Sequence, residues 1–339
     1  MTGTERWEPR VRGGSYHSGM PTRSPFAGTL VVLVGASLFA LLGITSRTAY
    51  GLGMTPVAFV AWRALVAAAV MWLADRARGG RPGWLAVVRA GDARERRGLL
   101  VAIVVGAALN LFLFAAFERT TIALALLAFY TYPALAAAAS AVLGREPMDR
   151  TRATSLLLAL GGMVAVVVGG LSTTAGVKVD PLGIAFGLGA ALCQVVFLLI
   201  SRDYHRIPAD QAMGWILAGA GAIAATLAVV AGGGVATLAL PFSDAGLLAL
   251  LAFVGVFAAA IPSFIFLLGI RWIGPVRAGI VMLWEPVMGV VIAAAFLAEP
   301  LVALQVAGGA TILVAALLVQ RAPTAPGDAL PVEAAPGGP

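Results

Sequence analysis

The chain has 339 residues, of which 60% are hydrophobic and 12% charged, with a net charge of +7 and a mean hydropathy of +0.95. Soluble proteins run at about 45–50% apolar and about 25% charged residues, so this composition leaves too little polar surface to clothe a water-soluble globule. The one cysteine, Cys193, excludes an intrachain disulfide, and with only His17 and His205 the chain has no material for a thiolate or histidine-rich metal centre.

In chain order, residues 1–25 are polar, carry Arg6, Arg10, Arg12 and Arg23, and read as a flexible cytoplasmic tail. Ten apolar blocks follow, each near the roughly 20 residues that cross a bilayer as a helix. They are predicted at 26–45, 56–74, 98–117, 121–143, 153–171, 181–200, 212–231, 246–268, 275–297 and 302–320. Because nine more spans follow it, the first is read as an uncleaved span rather than a signal peptide. From 321 to 339 the chain turns to Pro, Gly and Ala and is expected to be a disordered cytoplasmic tail.

The charges set an orientation. With the N-terminus inside, the inner segments carry nineteen of the 23 basic residues, the outer ones only Arg47, Arg119 and Lys178, and Arg63 falls within the second span. Basic loops stay on the cytoplasmic side, which puts both termini there. The basic excess is thereby explained by the membrane, and nucleic acid is not an expected partner.

The stretch Phe114–Pro147 has a counterpart 153 residues on: Pro133 matches Pro286, Glu146 matches Glu299, Pro147 matches Pro300, and Asn110 matches Ser263. A fixed offset of this kind marks a duplicated unit. Five spans per unit is an odd number, so the second copy must enter the membrane in the opposite sense. The predicted fold is an all-α integral membrane protein of ten transmembrane helices in two inverted five-helix repeats, 26–171 and 181–320. Carriers use such repeats for alternating access.

Polar residues inside a span are costly, and so they are the candidates for function. Arg63 either snorkels outward or lines a cavity as the cationic partner of an anionic or zwitterionic solute. Glu285 stands between Trp284 and Pro286 in the ninth span, where it can take up a proton or pair with a cation. Pro133 and Pro286 are expected to break their helices, since each removes one backbone donor. Asn110, Gln194, Ser263, Tyr130, Tyr132, Phe129 and Trp284 complete the candidates, Asn110 and Gln194 offering both donor and acceptor to an amino-acid-like or nucleoside-like solute or, equally, glue between helices. Trp62, Trp215 and Trp272 are read as interfacial anchors. Glu118-Arg119 and Glu146-Pro147 fall in turns, with Glu146 a possible gate latch. Small-residue spacings at Gly183/Gly187/Ala191, Ala134/Ala138 and Ala303/Ala307 point to close helix contacts. No phosphate-binding loop or His-Glu metal motif is present, so neither ATP-driven transport nor a cofactor is expected.

With ten spans and the duplicated phrase Pro133…Gly144-Arg-Glu-Pro147 and Pro286…Ala298-Glu-Pro300, residues 27–320 resemble the EamA family of the drug/metabolite transporter superfamily. The second copy departs from the pattern in having Ala298 before its glutamate, and the basic loop 75–97 is longer than expected. The resemblance implies a cofactor-free inner-membrane carrier exporting small metabolites such as amino acids. It also implies that spans 1, 3, 4, 6, 8 and 9 surround the solute path, that span 2 acts in gating, and that spans 5 and 10 are peripheral. The expected partners are the lipid bilayer, a small solute and possibly protons, with the protein a monomer or homodimer. A membrane-embedded enzyme or lipid-handling protein is the alternative, though reactive side chains are isolated rather than clustered; a non-transporting membrane subunit is a third reading.

Overall fold

The computed structural model describes residues 25–79, 83–144, 148–171, 178–201, 203–231, 234–297 and 302–321. Both expected tails, and the turns carrying Glu146-Pro147 and Glu299-Pro300 with the suggested latch, lie outside the described residues. Among the described residues there is no strand, and ten helices are long and apolar enough to cross a membrane: α1 (Phe26–Gly51), α2 (Pro56–Arg78), α3 (Ala93–Arg119), α4 (Ile122–Val142), α5 (Arg150–Gly170), α6 (Pro181–Ile200), α7 (Ala209–Ala231), α8 (Ala245–Ile273), α9 (Pro275–Ile292) and α10 (Ala303–Arg321).

Helix starts follow local chemistry. Thr55, Asp180 and Asp244 cap α2, α6 and α8 by accepting from backbone N–H groups of the first turn. α3 starts five residues before the expected span, and the reason is a capping box. Asp92 accepts from the Glu95 N–H at 2.8 Å and Glu95 accepts from the Asp92 N–H at 3.0 Å, so a charged turn outside the apolar block is still helical. The Glu95 backbone N–H holds the exposed Asp92 carboxyl below the usual range, so its contribution is present above that range and fades as pH falls through it.

Two helices are broken at matching places, and α1 is interrupted once as well, at Ala40. α4 is interrupted at Tyr130–Thr131 and α9 at Leu283–Trp284, an offset of 153 in each case. Pro133 and Pro286 follow two residues later and cannot donate to the carbonyls of Phe129 and Met282. The chain tightens there, the Leu283 and Trp284 N–H groups bonding back three residues to Ile280 at 3.2 Å and Val281 at 3.1 Å. α8 carries a wide π-helical stretch, Val254–Ala260, just before Pro262.

The bundle is held by cross-half pairs: α5 on α10, α2 on α7 and α8, α3 on α6 and α7, α1 on α8 and α9, and α4 on α6 and α9. Advancing every helix by five maps these pairs onto one another. Close approach requires small residues at α5–α10, where a Cβ built on Gly162 would meet the Gly308 carbonyl at 2.6 Å and one on Gly308 the Gly162 carbonyl at 2.5 Å. Backbone cannot yield as a side-chain tip can, so Gly308→Ala is expected to destabilise the purified protein by about 1–3 kcal/mol, as overpacking does; a thermal melt in detergent with no shift would contradict this. Of the expected small-residue contacts, Gly183 packs against Thr120 and Gly187 against Ala125 and Ala128. Ala138, Ala303 and Ala307 are instead exposed, and Gly308 and Gly309 form the α10 contact.

Candidate functional site

The bundle encloses a cavity in which the centre of a water molecule can range over ≈ 120 Å³, room for several waters or a compact solute. Seven of the nine expected cavity residues line it: Arg63, Asn110, Phe129, Tyr132, Gln194, Ser263 and Glu285. Tyr130 and Trp284 do not. Tyr130 is fully buried behind Phe129 and Tyr132, its ring centroid 5.2 Å and 6.1 Å from theirs. Trp284 donates from Nε1 to Ser37 Oγ at 3.2 Å, tying the α9 break to α1.

Arg63 does not snorkel. It is 5% exposed, donates to Asn110 Oδ1, and places its guanidinium carbon 4.9 Å from the Phe114 ring centre. Asn110 is oriented by its own Nδ2, which donates to the Gly106 carbonyl at 2.7 Å. The Arg63 Nε is buried without a partner. Glu285 heads the second segment of α9, just past the break, and is partly accessible because it faces the cavity. Tyr130 stands beside Glu285, although its hydroxyl forms no hydrogen bond of normal geometry. No salt bridge joins Glu285 to a basic group among the described residues. One cationic and one anionic group thus face the same small space without neutralising each other directly. Desolvated charges are expensive unless paired.

The lining also repeats. Val60 and Met213, Arg63 and Ile216, Ala64 and Leu217, Asn110 and Ser263, Leu113 and Phe266, Phe129 and Met282, and Tyr132 and Glu285 are seven pairs of lining residues at the 153 offset. On α1 and α6 the offset becomes 155, pairing Phe39 with Gln194 and Leu42 with Phe197. The frame is common to both halves, and the charges are not: Arg63 is matched by Ile216, Glu285 by Tyr132.

The expected set of path helices omitted α7 and gave α2 only a gating role. Both line the cavity, α2 through Val60, Arg63 and Ala64, and α7 through Met213, Ile216, Leu217 and Ala220. Applying the offset to Arg63 would have found Ile216. α5 and α10 contribute nothing to the lining.

Polar ties bind the cross-half pairs at both ends. At one end Arg94 pairs with Asp203 at 2.7 Å and Arg78 pairs with Asp210, while within the second half Arg271 donates to the Ile207 and Tyr204 carbonyls at 2.9 and 3.2 Å. There too Asp75 accepts from Trp84 Nε1 at 2.9 Å and from Gln211 Nε2 at 3.2 Å, so the basic loop docks through its helix Trp84–Ala90 on α7. At the other end Arg119 pairs with Asp180 at 3.2 Å, and Trp62 donates to the Leu238 carbonyl at 3.0 Å. Trp62 and Trp215 therefore serve as protein–protein ties rather than only as interfacial anchors, Trp215 Nε1 donating to the Trp84 carbonyl at 3.4 Å. Asp75→Leu leaves the Gln211 amide and the Trp84 indole without their acceptor, and a loss of about 2–3 kcal/mol is expected. A denaturation midpoint equal to that of the unsubstituted protein would rule out that role for Asp75.

Comparison with known proteins places the chain. The model of the EamA-like transporter family matches it twice, over residues 26–168 and 181–321. Among solved structures, one described only as "Crystal structure of protein" is similar at 20% sequence identity, covering 87% of this chain and 98% of its own, with a TM-score of 0.71; that likeness bears on the fold. No curated protein matches the sequence. Two family matches spanning most of a ten-helix, multi-pass membrane protein make this chain a member of the EamA-like transporter family.

Proposed function

We propose that the protein is a secondary transporter for small zwitterions of the amino-acid class, exporting them across the inner membrane by alternating access, without ATP or a bound cofactor. The observation that carries this reading is the pair of opposite charges, Arg63 and Glu285, facing one cavity with no salt bridge between them. A carboxylate fits the guanidinium fork of Arg63, and an ammonium group fits Glu285. The same carboxylate is the proton-coupling candidate: a proton and an ammonium group compete for one site, which is the elementary requirement for exchange.

The two halves, 26–171 and 181–320, are taken to cross the membrane in opposite senses, with both termini cytoplasmic. Three observations support that reading: the doubled family match, the matched helix breaks, and a packing pattern that is unchanged when each helix is advanced by five. So does the placement of the helix starts. Gly28 at the start of α1 packs on Ile273 at the end of α8, whereas Asp180 before α6 pairs with Arg119 at the end of α3, the opposite end of the bundle. An inverted pair of this kind gives each state a mirror state at nearly equal energy, which is what rocking between faces needs. The basic residues of the 75–97 loop support a cytoplasmic position for the face holding Asp75 and Arg271.

Counterflow in proteoliposomes tests the function. Vesicles preloaded with an amino-acid mixture should accumulate labelled amino acid only when the protein is present, and equal accumulation in protein-free vesicles would refute it.

A further inference from the structure

Once Arg63, Asn110 and Glu285 are assigned to the two charges of a zwitterion, three polar side chains on the cavity wall remain, Tyr132, Gln194 and Ser263, and the last two come from the second half. Gln194 on α6 is 7% exposed, yet its amide makes no hydrogen bond to the protein among the described residues, and it faces the cavity. Among the described residues Ser263 on α8 also lines the cavity with no hydrogen bond from its hydroxyl. Ser140 and Ser155 are likewise buried in their helices without a partner but do not line the cavity, whereas several other helix-borne hydroxyls are paired. Ser37, Thr45, Thr48, Thr154, Thr226 and Thr311 all donate back to a carbonyl of their own helix, at 2.7–3.0 Å. Buried amides and hydroxyls are nearly always paired, and an unpaired one costs stability unless a ligand or water satisfies it.

The placement of these two groups is as informative as their freedom. In the repeat frame Gln194 takes the position that Phe39 takes in the first half, and Ser263 takes the position of Asn110. Asn110 is consumed in holding Arg63. Ser263 has no such charge to hold, because the residue matching Arg63 is Ile216. The cavity therefore has a cationic pole built by the first half. The second half supplies a carboxylate and a neutral pole that can both donate and accept. Gln194 lies six residues from the end of α6, about 9 Å along the axis at 1.5 Å per residue, and Arg63 lies seven residues from the opposite end of the bundle at the start of α2. The neutral pole is thus displaced from the cationic one along the membrane normal.

From this the geometry points to a substrate subclass: amino acids whose side chain ends in an uncharged hydrogen-bonding group, read by Gln194 and Ser263 while Arg63 and Glu285 hold the main-chain charges. This rests on the zwitterion reading above and narrows it. An apolar side chain of the same shape would leave the amide and hydroxyl unsatisfied. Sites built to hydrogen-bond a substrate group discriminate strongly against analogues that lack it.

The test uses isosteric pairs, threonine against valine and serine against 2-aminobutyrate, as labelled solutes in counterflow with the full-length protein in proteoliposomes. The hydroxylated member of each pair should be exchanged about tenfold or more faster at limiting concentration. In a Gln194→Leu/Ser263→Ala variant that elutes as a single species, the ratio within each pair should fall to about twofold or less, whatever happens to the total rate. Valine and 2-aminobutyrate exchanged as fast as threonine and serine by the unsubstituted protein would overturn the subclass while leaving the zwitterion reading intact. An unchanged ratio in the variant would overturn the roles of Gln194 and Ser263. If none of the four is exchanged, the zwitterion reading falls first and this inference with it.

Discussion

Glu285→Gln is expected to reduce amino-acid exchange by about 30- to 150-fold at limiting solute, the equivalent of losing one charge-assisted hydrogen bond of about 2–3 kcal/mol. Glutamine keeps the shape and the hydrogen-bonding reach of the side chain, so the helix break at Leu283–Trp284 and the Trp284–Ser37 tie should survive. What disappears is the charge. The competition between proton and ammonium group disappears with it, so exchange by the variant should no longer change with pH, whereas the unsubstituted protein should slow on acidification of the solute-binding side. Flux and its pH profile in proteoliposomes report both effects, and a variant equal to the parent in both would remove Glu285 from the mechanism.

Arg63→Met is the complementary case, with an expected loss of about 30-fold or more in solute affinity, since truncating one member of a desolvated charge pair costs about 2–5 kcal/mol. Methionine fills much of the same volume and keeps contact with Phe114, but it leaves Asn110 Oδ1 without its donor. Arg63→Lys restores the charge without the planar fork and should recover only part of the affinity. Equilibrium binding of labelled amino acid to the purified variants separates the two. A lysine variant no better than methionine would show that the charge is not what the site uses, and a methionine variant that binds normally would place Arg63 in the scaffold.

The amino-acid order carries the architecture almost openly because lipid imposes so simple a rule. A helix in hydrocarbon must satisfy its own backbone and show apolar side chains, so ten blocks between arginine clusters become ten helices with ends off by only a few residues. The end of α1 runs six residues past its expected bound, and the start of α3 lies five residues early because Asp92 and Glu95 form a helix cap that hydropathy does not register. The duplicated prolines located both breaks. Side-chain direction is harder to read. Tyr130 and Tyr132 are two residues apart near a break, and only the structure shows Tyr132 facing the cavity while Tyr130 lies behind it. Whether Arg63 turned outward or inward depended on Asn110 lying on a different helix 47 residues away. Gln194 read equally well as glue or as lining; it faces the cavity and has no protein partner among the described residues, which is a property of packing rather than of sequence. The Asp75–Gln211 and Arg271 ties escaped because their partners lie 64 or more residues apart in the chain and no short motif connects them.

Alternating access makes one demand that a static pore or a sealed structural bundle does not: the same cavity residue must meet both aqueous faces. Ala64 lines the cavity and is small enough to carry a reporter. In an Ala64→Cys, Cys193→Ala protein reconstituted in one orientation, a membrane-impermeant thiol reagent should label position 64 when added from either face, and saturating amino acid should slow the labelling from both. Labelling from one face alone, whatever the solute, would contradict the account.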